Sequence, residues 1–172
     1  MGQRARLLKE IPVFGGLNED TIQFILDKTN SFEIDQGEYL FKEGDHTASM
    51  YVLESGKIAI LKNAEGHQYL LRQMEQGDCI GEMALFDFMP RSASAYVLEK
   101  AVLIEVSSAM LMDVYKFDIE QFALIQMNMG REVTRRLRVA DERCFHHRIE
   151  ASIKDGTIEF FEIDDHVDTG TA

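Results

Sequence analysis

The chain has 172 residues, a 45% hydrophobic share and a formal net charge of −12 at pH 7. That length admits one domain with a sizeable core plus an appended element, and the acidic balance argues against the chain as a whole binding nucleic acid. No apolar run reaches membrane-span length, no signal-peptide core follows Met1, and Cys79 and Cys144 stand far apart rather than in a disulfide framework, so a soluble cytoplasmic protein is expected.

Residues 4–30 read as helix. Leu7, Leu8 and Ile11 come first, Pro12 interrupts, and Asn18 is placed to cap a second helix carrying Ile22, Phe24, Ile25 and Leu26. Between 31 and 106 the pattern changes to short β-branched or alternating runs, separated by Gly, Asp and Asn at intervals of roughly 8–12 residues, as in a sandwich or barrel. Eight strands are predicted: Ser31–Asp35, Tyr39–Lys42, Ser49–Glu54, Lys57–Lys62, Gln68–Met74, Asp78–Gly81, Ser92–Leu98 and Ala101–Val106. Turn signals separate them at Gln36-Gly37, Glu43-Gly44-Asp45, Ser55-Gly56, 63–66 and Gln76-Gly77-Asp78.

The stretch Ile80–Ala95 carries the chemistry. Gly81-Glu82 ends an apolar strand, Met83–Phe88 has room for one helical turn, and Pro90-Arg91-Ser92 leads into the next strand. Backbone N–H groups at the start of a helical turn attract an anion. Arg91, nine residues after Glu82, can return to the same place and grip a phosphate with two parallel hydrogen bonds. Glu82 would repel a phosphate but accepts from a sugar hydroxyl. These groups suit a phosphorylated sugar.

A short helix at 107–116, capped by Ser107-Ser108, and a long helix at 118–144 come next. Ile125, Met129, Val133, Leu137, Ala140 and Cys144 form a narrow stripe along the long helix, close to a coiled-coil seam. The stripe packs either on its own β-domain or on the same helix of a second subunit. From Arg131 to Arg148 six arginines stand against three acids, whereas six acids and no Lys or Arg follow Lys154. This is a solvated face and a solvated tail, or a tail that meets the basic helix or a partner. Within the tail, 145–172, Ala151–Phe160 reads as a hairpin turning at Asp155-Gly156.

The run Ile80-Gly81-Glu82-Met83-Ala84-Leu85, followed by Pro90-Arg91-Ser92-Ala93-Ser94-Ala95, resembles the phosphate-binding cassette of the cyclic nucleotide-binding domain family. Ile11-Pro12-Val13-Phe14-Gly15-Gly16-Leu17 resembles that family's lead-in helix, and the spacing of Gly37, Gly44, Gly56, Gly77 and Gly81 resembles its jelly roll. The resemblance spans roughly 11–144. It implies a mainly β domain over 1–144: an eight-stranded β jelly roll (a double-stranded β-helix) with N-terminal helices and a long C-terminal helix. The implied ligand-binding residues are Gly81, Glu82, Met83, Ala84, Arg91, Ser92 and Ala93 in the cassette. Arg91 would clamp the phosphate, Glu82 would take the ribose 2′-hydroxyl, and the Ala84 N–H would face the phosphate. Ser at position 92 leans to cAMP, with cGMP the alternative ligand. The segment Arg135–Glu142 is similar to the base-contacting helix of bacterial catabolite activators, which have Thr and Ser at the positions of Ala140 and Asp141. The chain departs from the pattern there, leaving Asp141 as the candidate base contact. The resemblance also implies a homodimer through the long helix, acting on a protein effector.

Two other classes fit less well. Metal-dependent enzymes on a double-stranded β-helix need a His-x-His pair and a Glu on adjacent strands, and His46, His67, His146, His147 and His166 make no such pair in the β region. No Ser-His-Asp or Cys-His arrangement and no P-loop is evident, so no enzymatic activity is expected. A helix-turn-helix would need roughly 60–70 further residues, and 24 follow Arg148.

Overall fold

The computed structural model describes residues 2–156. Helix α1 (Gln3–Glu10) leads into a 3-10 turn at Pro12–Phe14 and then helix α2 (Glu19–Lys28). Pro12 suits the first position of that turn because its missing N–H would have had no partner there. The Asn18 side chain accepts from the Thr21 N–H at 2.8 Å and caps α2, as the sequence predicts.

Six strands follow: β1 (Ser31–Ile34), β2 (Tyr39–Phe41), β3 (Ser49–Ala64), β4 (His67–Met74), β5 (Cys79–Ile80) and, after helix α3 (Met83–Asp87), β6 (Ser94–Ser107). All pair antiparallel in one sheet of order β1-β6-β3-β4, with β2 on β6 and β5 on β3. The mainly β architecture with flanking helices is present, but the eight expected strands are six. Ser49–Glu54 and Lys57–Lys62 are one strand, and so are Ser92–Leu98 and Ala101–Val106. The reason lies at Gly56, which marks a bend within the ladder and not a turn out of it. Its φ is +94°, and an added Cβ would lie 2.4 Å from the Lys100 carbonyl oxygen and 2.6 Å from the Ala101 Cα. Glycine lets β3 fold sharply against β6 while their pairing continues through register shifts on both sides.

Alternation along β3 sends its side chains to two cores. Met50 and Val52 join Ile104, Val106 and the helices in one cluster. Tyr51 and Leu53 join Phe41, Ile58, Val97 and Leu103 in the other.

Helix α4 (Ser108–Phe117) is capped by Ser107, whose Oγ accepts from the Met110 N–H at 3.2 Å. Helix α5 runs from Ile119 to Asp155. It therefore overruns the expected end at Cys144, and Ala151–Asp155 are helical, not the first strand of a hairpin. Nothing between Phe145 and Asp155 breaks a helix, and Gly156, at φ +69°, sits where a left-handed C-cap belongs. Asp-Gly signals both a hairpin turn and a helix stop, and here it is the stop. The hairpin's second half, Thr157–Phe160, lies outside the described residues.

The chain divides into two compact units, Met1–Val133 and Thr134–Ala172. In the first, Ile125 and Met129 are buried among the helices, and the Asn128 side chain donates to the Val13 and Gly15 carbonyls at 3.3 and 2.8 Å. The first stretch of the stripe thus packs on its own domain. In the second unit, Leu137, Ala140 and Cys144 are exposed. No described helix is long and apolar enough to cross a membrane.

Candidate functional site

The candidate site is built where β5 ends, α3 turns and β6 begins. Gly81 follows β5 at φ +80°, and its hydrogen faces Arg91: a Cβ there would lie 2.2 Å from Arg91 Nη1. Glycine is thus required twice, by the backbone and by the close approach of the guanidinium. Glu82 occupies the N-cap of α3 and is 1% exposed. Ala84 and Leu85 form the buried face of the helix, while Met83, Phe86, Phe88 and Met89 are exposed.

Arg91 is 3% exposed. Its backbone is fastened to the β2–β3 turn: its N–H donates to the Asp45 carbonyl, and its carbonyl accepts from the Gly44 N–H, both at 2.9 Å. Nη1 donates to the Gly81 carbonyl at 2.8 Å and Nη2 to the Ser49 carbonyl at 2.6 Å. Nε is buried with no hydrogen-bond acceptor among the described residues. The guanidinium carbon stands 4.1 Å from the centre of the Phe41 ring and 5.7 Å from that of Tyr51. Burial pushes the guanidinium pKa below its ordinary value, and Tyr51, Glu82 and Asp45 oppose that shift. A guanidinium remains charged in proteins, so this is a permanent cation in a nearly closed interior.

The end of the cassette is fixed from outside. Lys62 Nζ donates to Glu43 Oε1 at 2.5 Å and to the Ser92 carbonyl at 2.6 Å, and Ser94 Oγ accepts from the Glu43 N–H at 2.9 Å. Ser92 itself is exposed and Ala93 is buried.

Gly81, Glu82, Ala84 and Arg91 therefore lie together in the first unit, with Met83 and Ser92 exposed beside them. Asp141 belongs to the second unit, where it is exposed. The sequence did not reveal Ser49, Phe41, Tyr51 or Lys62. Ser49 acts through a main-chain carbonyl, which no residue type encodes, and the two aromatics read as ordinary inward-facing strand positions. Among the described residues no cluster of three or more His, Cys, Asp or Glu could hold a metal ion.

The cyclic nucleotide-binding domain profile matches residues 32–117, the sheet, the cassette and α4. The chain belongs to the cyclic nucleotide-binding domain family. The Cyclic AMP receptor protein of Thermus thermophilus is 30% identical over 135 residues, covering 78% of this chain and 61% of that protein. The cGMP-dependent protein kinase 2 of Homo sapiens is 28% identical over 102 residues, 58% of this chain and 13% of the kinase. This cyclic nucleotide-binding domain thus spans less than two thirds of the first relative and about an eighth of the second. The crystal structure of the Thermus thermophilus Catabolite Activator Protein superposes with a TM-score of 0.72 at 27% identity, covering 81% of this chain and 64% of that one.

Proposed function

We propose that the first unit is a regulatory module that binds a cyclic nucleotide, cAMP in preference to cGMP, and performs no catalysis. The observation that carries this reading is Arg91: a buried cation beside buried Glu82, with its Nε unclaimed among the described residues. Burying a charge is costly unless something compensates it, and a ligand oxyanion at Nε completes the compensation. Arg91 then clamps the phosphate, with Gly81 and Ala84 small enough for close approach. Glu82 accepts from the ribose 2′-hydroxyl, and exposed Ser92 offers a hydroxyl. The relatives support a cyclic nucleotide without choosing the base, since one is named for cAMP and the other for cGMP.

Asp141 is the proposed base contact. The output is proposed to run through α5, whose exposed Leu137, Ala140 and Cys144 suit a homodimer, to a protein effector in the cytoplasm. Nucleotide binding can shift such an output only by its differential affinity for two states of the module.

Calorimetric titration of the whole chain with cAMP and cGMP, beside Arg91→Ala, tests the site. Removing one member of a buried charged contact costs about 2–5 kcal/mol, at least thirtyfold in affinity. Asp141→Ala should change the ratio of the two affinities if it reads the base. No heat from either nucleotide in a folded protein excludes the reading. A second reading then applies: both Nη groups already donate to protein carbonyls, so Arg91 would brace a module whose surface alone is functional.

A further inference from the structure

We propose that Phe41 and Tyr51 are positioning residues for the anion site: their rings fix the plane of the Arg91 guanidinium so that Nε–H, on the guanidinium nitrogen with no acceptor among the described residues, is presented to a ligand oxyanion. This rests on the nucleotide-binding reading above and adds two residues that neither the cassette pattern nor its spacing singles out.

The argument is geometric. A guanidinium is planar and carries five N–H donors in a rigid fork. Two hydrogen bonds, from Nη1 to Gly81 and Nη2 to Ser49, set one edge of the fork. They leave it free to tilt about the line through the two acceptors. The Phe41 ring removes that freedom, because a cation 4.1 Å from its centroid is held over the ring face. Tyr51 supports Phe41: the two rings stack at 6.1 Å with 28° between their planes. Both are nearly buried and come from different strands, Phe41 closing β2 and Tyr51 early in β3. Three N–H groups remain beyond those two bonds, and of their nitrogens Nε is the one that is buried with no acceptor among the described residues.

Ser49 ties the arrangement to the sheet. Its Oγ donates to Glu105 at 2.6 Å, which fixes the residue whose carbonyl holds Nη2. An aliphatic side chain at position 41 would fill the same volume but would not orient the cation.

The test uses the whole chain, cAMP and cGMP as probes, and two variants, Phe41→Leu and Phe41→Tyr. Affinity should fall about tenfold to thirtyfold in Phe41→Leu and survive in Phe41→Tyr. Nitrogen–proton NMR of the nucleotide-free protein gives a readout that mere packing would not move. The Arg91 Nε–H signal, identified by its loss in Arg91→Lys, should be displaced by the ring current in the natural protein. It should stay displaced in Phe41→Tyr and return to the ordinary arginine position in Phe41→Leu. If Phe41→Leu does not fold, fluorinated phenylalanines at position 41 keep the shape while weakening the ring face, and affinity should fall with each added fluorine. Unchanged affinity and an unmoved Nε–H signal overturn the aromatic hold and leave the binding reading intact. A natural protein that binds neither nucleotide, with the Nε–H signal behaving as described, overturns the binding reading alone.

Discussion

The two units treat their unusual residues in opposite ways. In the first, a cation is buried: Arg91, 3% exposed, lies against two rings and donates to two carbonyls. In the second, apolar side chains stand outside: Leu137 is 59% exposed and Phe145 60%. A buried charge is tolerated only when its surroundings compensate it, and the first unit supplies part of that compensation for Arg91 itself, through two carbonyls and two rings, while Nε has no acceptor among the described residues. Exposed apolar residues on one helix have no such internal compensation. The first unit reads as a site and the second as a surface, and each can be broken separately.

The largest expected effect is that of Arg91→Ala on the ligand-free protein. A surface arginine can be lost for less than about 0.5 kcal/mol. Removing this one leaves two backbone carbonyls without their donor and buried Glu82 without the neighbouring cation, and should lower the unfolding free energy by about 3–5 kcal/mol. Urea denaturation measures it, and a loss below 1 kcal/mol would show that the cation is not a structural centre. Gly81→Ala comes second. The left-handed conformation costs a residue with a Cβ about 1–2 kcal/mol, and the new methyl must push Nη1 away, since it would lie 2.2 Å from it. Stability and nucleotide affinity should fall together, the second more than in a variant strained elsewhere, such as Gly37→Ala.

What the sequence disclosed follows this division. Gly81 was readable as a tight corner because its positive φ suits glycine, and the return of Arg91 to that corner was readable from the pattern around it. Asn18 and Ser107 announced two helix starts by the same logic. The strand count failed because Ser55-Gly56 spells the same letters for a turn and for a bend inside a continuing ladder. Only the proximity of the Lys100 and Ala101 backbone distinguishes them, and that contact is 44 or more residues away in sequence. Asp155-Gly156 failed likewise, since a left-handed glycine serves both a hairpin and a helix cap. The stripe on α5 was visible as a period, but its partition was not. Ile125 and Met129 meet the helical cluster while Leu137 does not, a difference that tertiary packing decides.

Leu137→Asp is the third prediction and breaks the second unit alone. Replacing an exposed side chain on a helix should change thermal stability by no more than about 0.5 kcal/mol, because Leu137 contributes to neither core cluster. If the exposed stripe pairs with a second copy, sedimentation velocity should show the natural chain as a dimer and the variant as a monomer. If both sediment as monomers, α5 has another partner or none.

The smallest effect belongs to the strut at the end of the cassette. The hydrogen bond from Lys62, followed by that from the Asn63 N–H, holds the Glu43 carboxyl below its ordinary pKa of 4.5. A carboxyl whose folded pKa is depressed contributes stability that is fully present above the unfolded value and is lost as the pH falls through the folded one. The contribution is therefore in place at pH 7 and disappears in acid, at pH values below 4.5. Both groups are open to solvent, so salt and water screen the pair and the thermal effect is small. Lys62→Met removes the ammonium, and with it the second hydrogen bond, to the Ser92 carbonyl. Natural chain and variant should differ in melting temperature at pH 7 and converge as the pH is lowered below 4.5. A difference that persists undiminished in acid would assign the strut to the Ser92 carbonyl, which does not titrate, and would shift the role of Lys62 from Glu43 to the cassette backbone itself.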